Sequence, residues 1–373
     1  TNGKTSVSFL VRHLLQQVGH HCGLIGTVEY DLGNRIIPAM RTTPESPEIH
    51  EYFSAMVKEG CNYGVMEVSS HALLQHRVHG LKFDTVAFTN LTQDHLDYHG
   101  SMGDYFNAKR RLFELHAKGV KIVNEDDQYG DQLAQEYAVT TVGQRESAQL
   151  RIEAVVLDQS GSRFRINGTQ FQTPLIGRHN VENAVMAIAI AQQAAGISLE
   201  SCAKGLIKAR PVPGRLEAIK ENQSFGVYVD YAHTDDALSN VLEALREITP
   251  GKLQVVFGCG GNRDSGKRNK MGRVASELAD VVTITTDNPR REDPAIIAQQ
   301  IAEGCSSVRQ EGWRIELDRA RAIDEVLRSA RSGDTVLVAG KGHETYQEVN
   351  DSVIPFDDRE QIRTILVNLG FQR

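Results

Sequence analysis

An α/β fold in two parts is what this sequence predicts, and three observations predict it. Short apolar runs alternate with stretches of helical periodicity along most of the chain. A proline- and glycine-rich break, Arg210-Pro211-Val212-Pro213-Gly214, interrupts both periodicities. Polar, glycine-bearing segments recur directly after the apolar runs, where open parallel sheets hold ligands. The 373 residues suffice for two buried cores, and we expect residues 1-212 to form a P-loop-type, mostly parallel sheet domain and 213-373 a Rossmann-like domain.

Composition narrows the class. Apolar residues make up 40% and charged residues 24%, which excludes disorder, collagen and small disulfide scaffolds. With 41 Lys and Arg against 48 Asp and Glu, the net charge of −7 supplies no field for nucleic acid or anionic lipid, so phosphate binding requires a pocket. The five cysteines show no paired spacing, and no apolar run approaches the ~20 residues of a membrane span. These features predict a cytoplasmic protein with no membrane and no nucleic-acid partner.

In the first part, Val7, Leu10, Val11, Leu14, Leu15 and Val18 predict a helix after Lys4 that stops at Gly19. Strands are expected at 24–28, 64–68, 85–88 and 120–123, with a serine-capped helix from Ser46-Pro47-Glu48 through Val57. From Leu150 to Leu175 the pattern alternates around Ser160-Gly161-Ser162 and Asn167-Gly168, predicting a small antiparallel appendage before a helix at 180–195. In the second part, strands are expected at 226–230, 253–257, 281–285, 313–317 and 335–339.

Seven segments carry chemistry. Thr1-Asn2-Gly3-Lys4-Thr5-Ser6 has the form of the tail of a phosphate loop, in which backbone N–H groups surround phosphates, lysine neutralises them and the threonine hydroxyl binds magnesium; its opening strand and glycine are expected upstream. The bland alternative is a capped helix start. Glu67 ends an apolar strand at the position of a nucleotide-bound cation, or else is an ion-paired edge glutamate. Asn90 to Gly100 gathers Asp94, His95, Asp97 and His99, a cation-holding set or a polar loop; the zinc reading lacks the glutamate of H-E-x-x-H. Asp230-Tyr231-Ala232-His233, Phe257 to Asp264, Thr286 to Arg290 and Ala339 to Glu344 all follow second-part strands. Arg263 and Arg290 suit a carboxylate, and Glu344 suits an ammonium group, so this inventory resembles an amino-acid site.

Together and in this order, these motifs resemble the Mur ligases, and within them the members that add meso-diaminopimelate to a UDP-N-acetylmuramoyl dipeptide; Asp287-Asn288-Pro289-Arg290 is the most specific. The resemblance covers essentially the whole chain and implies a family domain missing before it, with impaired activity of the chain as it stands. It implies ATP, two magnesium sites and a carbamylated lysine at Lys109. By resemblance, Thr1, Asn2, Gly3, Lys4, Thr5 and Ser6 bind the ATP phosphates, Thr5 and Glu67 hold one magnesium, and His95 with Lys109 the other. Asn180, Asn183, Arg215 and Asp230 serve the nucleotide. Thr42, Thr43, Ser69, Gln75 and Arg77 contact UDP-MurNAc-L-Ala-D-Glu. Arg263, Asp287, Asn288, Pro289, Arg290, Gly340 and Glu344 form the diaminopimelate site. Asp235 departs from the family's usual proline, which should alter only a helix start. The implied protein is a monomer making an amide through an acyl phosphate, with the 210–214 linker as a hinge. A folylpolyglutamate synthetase-like ligase and a catalytically dead nucleotide-binding module are the alternatives.

Overall fold

The computed structural model describes residues 1–116, 118–158 and 160–371. They form two compact units that divide between Arg210 and Pro211.

The first unit opens with helix Lys4–Gln17, whose Val7, Leu10, Val11, Leu14 and Leu15 are all buried. That apolar stripe packs on helix Arg178–Ala195, itself buried along most of its length. Helix Ser46–Lys58 starts as expected, but its cap is Glu45 rather than a serine: Glu45 and Glu48 form a reciprocal capping box, with Pro47 in the first turn.

Two sheets, rather than one, carry this unit. Strands Ile36–Pro38, Glu29–Asp31, Cys22–Ile25 and Tyr63–Met66 lie side by side in that order, with the last two parallel. The other sheet runs Thr169–Thr173, Gly161–Ile166, Leu150–Asp158, Thr140–Gly143, Val120–Asn124 and Thr85–Phe88. The antiparallel strands expected after Leu150 form as an appendage at the edge of this sheet. Val142 pairs with Leu150 in parallel register, so the hairpins extend the sheet, and Phe164 and Phe171 stack beneath them. The end strands Tyr63–Met66 and Thr85–Phe88 line one groove of about 530 Å³, with Val7, Val11 and Leu112 among its apolar walls.

The second unit has one six-stranded sheet in the order Glu217–Ala218, Gly226–Asp230, Thr335–Ala339, Leu253–Phe257, Val281–Ile284 and Trp313–Ile315. All but the first are parallel, and the last in sequence inserts between the second and third. Continuous apolar runs suit strands covered on both faces. Val227, Val229, Val256, Val336 and Val338 pack against Ile323, Val326, Ile362 and Leu366 from the covering helices. Thr234 caps helix Asp235–Ile248 by accepting the Ala237 N–H, so Asp235 occupies a first-turn position where a carboxylate favours the helix dipole. A hairpin unpredicted from the sequence, Tyr346–Val349 with Ser352–Pro355, lies on the loop after Ile284: Arg290 N donates to Glu348 O and Asn350 N to Arg290 O.

A buried ion pair braces this unit. Arg319 donates to both oxygens of Asp358 at 2.7 Å, and its Nη2 also donates to Ala339 O at 3.0 Å. Both side chains have no solvent exposure. Removing one partner of such a pair strands the other charge, at a cost of about 3–5 kcal/mol. Asp358→Ala should lower the unfolding free energy of the second unit by that amount in a urea titration and leave the transition of the first unit in place.

Candidate functional site

In the first unit the candidate residues converge at the carboxyl ends of the parallel strands. Gly3 stands at the N-terminus of helix Lys4–Gln17 with φ 84°, a left-handed conformation that suits glycine. A Cβ there would lie 2.3 Å from Asn183 Oδ1, so the loop rests directly on the helix bearing Asn180 and Asn183. Asn183 donates to Asn180 Oδ1 at 3.4 Å, and Asn180 donates to Ile176 O at 2.8 Å. Lys4 Nζ donates to Thr1 O at 2.6 Å. Asn2 is held by Asn90 and Thr89 from the end of strand Thr85–Phe88, and Thr1 Oγ1 accepts the Thr92 N–H at 3.0 Å.

Glu67 follows strand Tyr63–Met66 and is 3% exposed. Its Oε1 accepts the Thr27 N–H at 2.8 Å, and its Oε2 accepts the Thr5 and Thr27 hydroxyls at 3.0 Å each. No cation from a basic side chain pairs with it among the described residues, so the ion-paired reading falls. Charge-assisted hydrogen bonds to hydroxyls satisfy the carboxylate instead. Its backbone oxygen accepts the Thr43 hydroxyl at 2.9 Å, and Ser69 N donates to the same hydroxyl at 3.0 Å. Thr42 joins through Thr27 at 3.1 Å, Arg77 donates to Thr43 O at 2.8 Å, and Gln75 accepts from Arg77 at 2.5 Å. All five residues expected to contact one substrate thus form one network around Glu67.

His95 and Lys109 flank a single ring. Lys109 Nζ lies 5.0 Å from the centroid of Tyr105, and the His95 ring lies 6.2 Å from it. Burial, then the nearby Lys4 ammonium, pushes the Lys109 amine down to about 7. Burial and a neighbouring positive charge both favour the neutral form of this amine. His95, with φ 53°, is half-exposed and lies 3.4 Å from Asp94; His99 instead bonds Ser70 at 2.9 Å and stacks on Tyr105. The side chain of Asp97 lies outside the described residues. Among the described residues no three His, Cys, Asp or Glu side chains cluster as metal ligands.

In the second unit, Asp230 caps the turn after its strand by accepting Leu216 N at 2.6 Å and Ala232 N at 2.7 Å. Burial raises its carboxyl, while Arg215, which lies over the Tyr231 ring at 4.7 Å, opposes the rise. Arg290, at φ 52°, donates from Nη1 to Gly261 O at 2.9 Å and from Nε to Glu348 at 2.6 Å. A Cβ on Gly260 would sit 3.0 Å from Arg290 Nη1 and 3.9 Å from the stem of the exposed Arg263, so both arginines border that glycine. Facing loops supply negative charge. Gly340 has φ 109°, and a Cβ there would meet Asp287 Oδ2 at 2.6 Å. Asn288 donates to Glu344 at 2.9 Å, and burial pushes the Glu344 carboxyl up while Lys341 holds it down. Pro289 supports the turn, its carbonyl oxygen 1.9 Å from where a Cβ on Gly261 would stand.

These two constellations match known families. The family description "Mur ligase middle domain" fits residues 1–191, and "Mur ligase, glutamate ligase domain" fits 214–342. The chain belongs to the Mur ligases. A relative from Solibacter usitatus, named UDP-N-acetylmuramoyl-L-alanyl-D-glutamate--2,6-diaminopimelate ligase, is 42% identical over all of this chain and 77% of its own length. A solved structure of a protein of the same name aligns at TM-score 0.71 and 33% identity, covering 99% of this chain and 77% of that one. A Mycobacterium tuberculosis folylpolyglutamate synthase structure aligns at TM-score 0.65 but 17% identity, over 91% of this chain and 86% of that one, and so shares the fold alone. This Mur ligase is an enzyme that forms amide bonds.

Sequence reasoning missed Thr27, Tyr105, Lys341 and Glu348. The strand expected at 24–28 ends at Ile25 instead, so Thr27, read as strand interior, falls in the loop at its carboxyl end. Glu348 carries no local signal, because its partner Arg290 lies 58 positions away in sequence, whereas Tyr105 stands one helical turn from Lys109. For the loop itself, Gly3→Ala should impose about 1–2 kcal/mol of left-handed strain on top of the clash with Asn183. Amide hydrogen exchange at residues 4–8 should accelerate at least fivefold, with protection of strand 335–339 unchanged.

Proposed function

We propose that this Mur ligase adds meso-diaminopimelate to the D-glutamate of UDP-N-acetylmuramoyl-L-Ala-D-Glu with ATP hydrolysis, as a cytoplasmic monomer in peptidoglycan precursor synthesis. The observation that supports the substrate is the gathering of both charges on adjoining loops of the second unit. Arg263 and Arg290 border Gly260, where the Asn288 carbonyl oxygen also lies, while Asp287 meets Gly340 and Glu344 accepts the Asn288 amide. An amino acid with a carboxylate and an amine at each end presents the complementary pattern. The name carried by relatives at 42% identity agrees with it.

A carboxylate is a poor electrophile, so it must first gain a leaving group. The D-glutamate γ-carboxylate oxygen attacks the γ-phosphorus of ATP; the new P–O bond forms as the bond to the β-phosphate oxygen breaks, releasing ADP. An amine of the diamino acid attacks the acyl carbon, phosphate departs with the C–O electron pair, and the amine proton passes to solvent. Lys4, at the N-terminus of a helix, binds the phosphates, and the loop N–H groups orient them. Asn180 and Asn183 carry the adenine side. Thr42, Thr43, Ser69, Gln75 and Arg77 hold the muramoyl dipeptide.

Magnesium fits the residues present. Thr5 Oγ1 and the Glu67 carboxylate are hard oxygen donors 3.0 Å apart, and magnesium characteristically takes one or two such donors together with phosphates and water. When bound there it neutralises the β- and γ-phosphates. His95 and a carbamate on Lys109 are the donors for a second ion. The lowered Lys109 amine supports the carbamate, since only the neutral amine attacks CO2, giving RNHCOO⁻ and a proton.

Incubation of the chain with ATP, UDP-N-acetylmuramoyl-L-Ala-D-Glu and meso-diaminopimelate should yield the tripeptide, slowly and at a low level, by mass spectrometry, with L-lysine at least tenfold poorer. Product with folate and glutamate instead, or faster turnover with L-lysine than with meso-diaminopimelate, overturns the reading. Arg290→Ala should lower diaminopimelate affinity at least tenfold by calorimetry while ATP affinity stays put. The Lys109 amine is neutral above about pH 7 and protonated below. In ¹³C-bicarbonate, a carbamate resonance should therefore grow from pH 6 to pH 8 and be absent in Lys109→Arg.

A further inference from the structure

The amino-acid loops of the second unit enclose a lysine that the family resemblance leaves without a role. Lys341 lies between Gly340 and the Glu344 turn and has no solvent exposure. Its Nζ donates to Glu344 Oε2 at 3.1 Å and to Asn288 Oδ1 at 3.2 Å, and it lies 5.6 Å from the centroid of the Tyr346 ring. A buried ammonium is costly unless each of its protons finds an acceptor. Here the acceptors are two side chains expected to touch the substrate.

We propose that Lys341 is the positioning residue of the amino-acid site, fixing Asn288 and Glu344 in the one arrangement that receives an ammonium group of the incoming diamino acid. The inference rests on the substrate reading above. Geometry fixes the Asn288 amide unambiguously. Its oxygen accepts from Lys341 Nζ and from Glu348 N at 3.0 Å, so its NH₂ must face the Glu344 carboxylate, to which it donates at 2.9 Å. With a neutral residue in place of Lys341, the Asn288 oxygen keeps only the Glu348 N–H and Glu344 loses the ammonium that holds its Oε2, so the pair is less firmly set.

Charge balance points the same way. Asp287, 8% exposed, and Glu344 bring two carboxylates to the cluster against one lysine, and Arg319 is already matched by Asp358. One further positive charge completes the set. Both Glu344 oxygens cannot be spent on Lys341 and Asn288, because both donate to Oε2, which leaves Oε1 directed elsewhere. Lys341 thus confines one oxygen of Glu344 and presents the other.

A double-mutant cycle on meso-diaminopimelate affinity, read by calorimetry on the 373-residue chain, separates positioning from mere packing. Lys341→Met and Glu344→Gln should each weaken binding at least tenfold, and the double variant should bind within about twofold of Glu344→Gln, because Lys341 acts through Glu344. ATP affinity should be the same in all four proteins. Should Lys341→Met fail to fold, Lys341→Gln, which keeps a donor toward Asn288 without the charge, takes its place in the cycle. Wild-type affinity in the lysine variant, or losses that multiply in the double variant, overturns the proposal. If the wild-type chain binds ATP but no diaminopimelate, the substrate reading itself fails and takes this inference with it.

Discussion

A carboxylate buried at the end of an apolar strand has to be satisfied on every side, and in Glu67 that requirement organises the first unit. Its hydrogen bonds recruit Thr5 from the phosphate loop, Thr27 from the neighbouring strand end and, through its own carbonyl, Thr43. Burying it without these partners would cost several kcal/mol. The loop, the strand end and Thr43 are therefore placed by one electrostatic constraint, so the groups proposed to meet phosphate and those proposed to meet the dipeptide share a common anchor.

The second unit solves a related problem with more charge. Parallel strands covered on both faces leave only their carboxyl ends open to ligands. There the loops after Phe257, Ile284 and Ala339 crowd together, and the Arg268–Glu292 pair and the Arg319–Asp358 pair brace them from behind. Neither brace needs a ligand for its own charge balance. The front of the site brings the Asp287 and Glu344 carboxylates and the Arg263 and Arg290 side chains onto adjoining loops.

Much of this was legible in the sequence because continuous apolar runs bounded by glycine or polar loops have few alternative readings. Strands 226–230, 253–257 and 335–339 end where their valines end. The hairpin 346–355 was invisible because its residues are half-buried or exposed and show no clean alternation. Strands 29–31 and 36–38 are three residues each, too short for a period to register. The hairpins after Leu150 alternated as expected, but nothing local reveals that Leu150 pairs with Val142 across a short loop. At the site, strand-end carboxylates and glycine loops announced themselves. Lys109 reads as a solvated helix face until Tyr105 and Lys4 are brought beside it, and Lys341 reads as a loop lysine until its burial is known.

The groove between strands Tyr63–Met66 and Thr85–Phe88 bears on how the first unit holds its two sheets. Each strand ends its sheet among the described residues, and both line the same trough, whose walls include Val7, Val11 and Leu112. An extended segment seated there would meet an edge on either hand and join the two sheets into one, with Lys4 and Glu67 at its end.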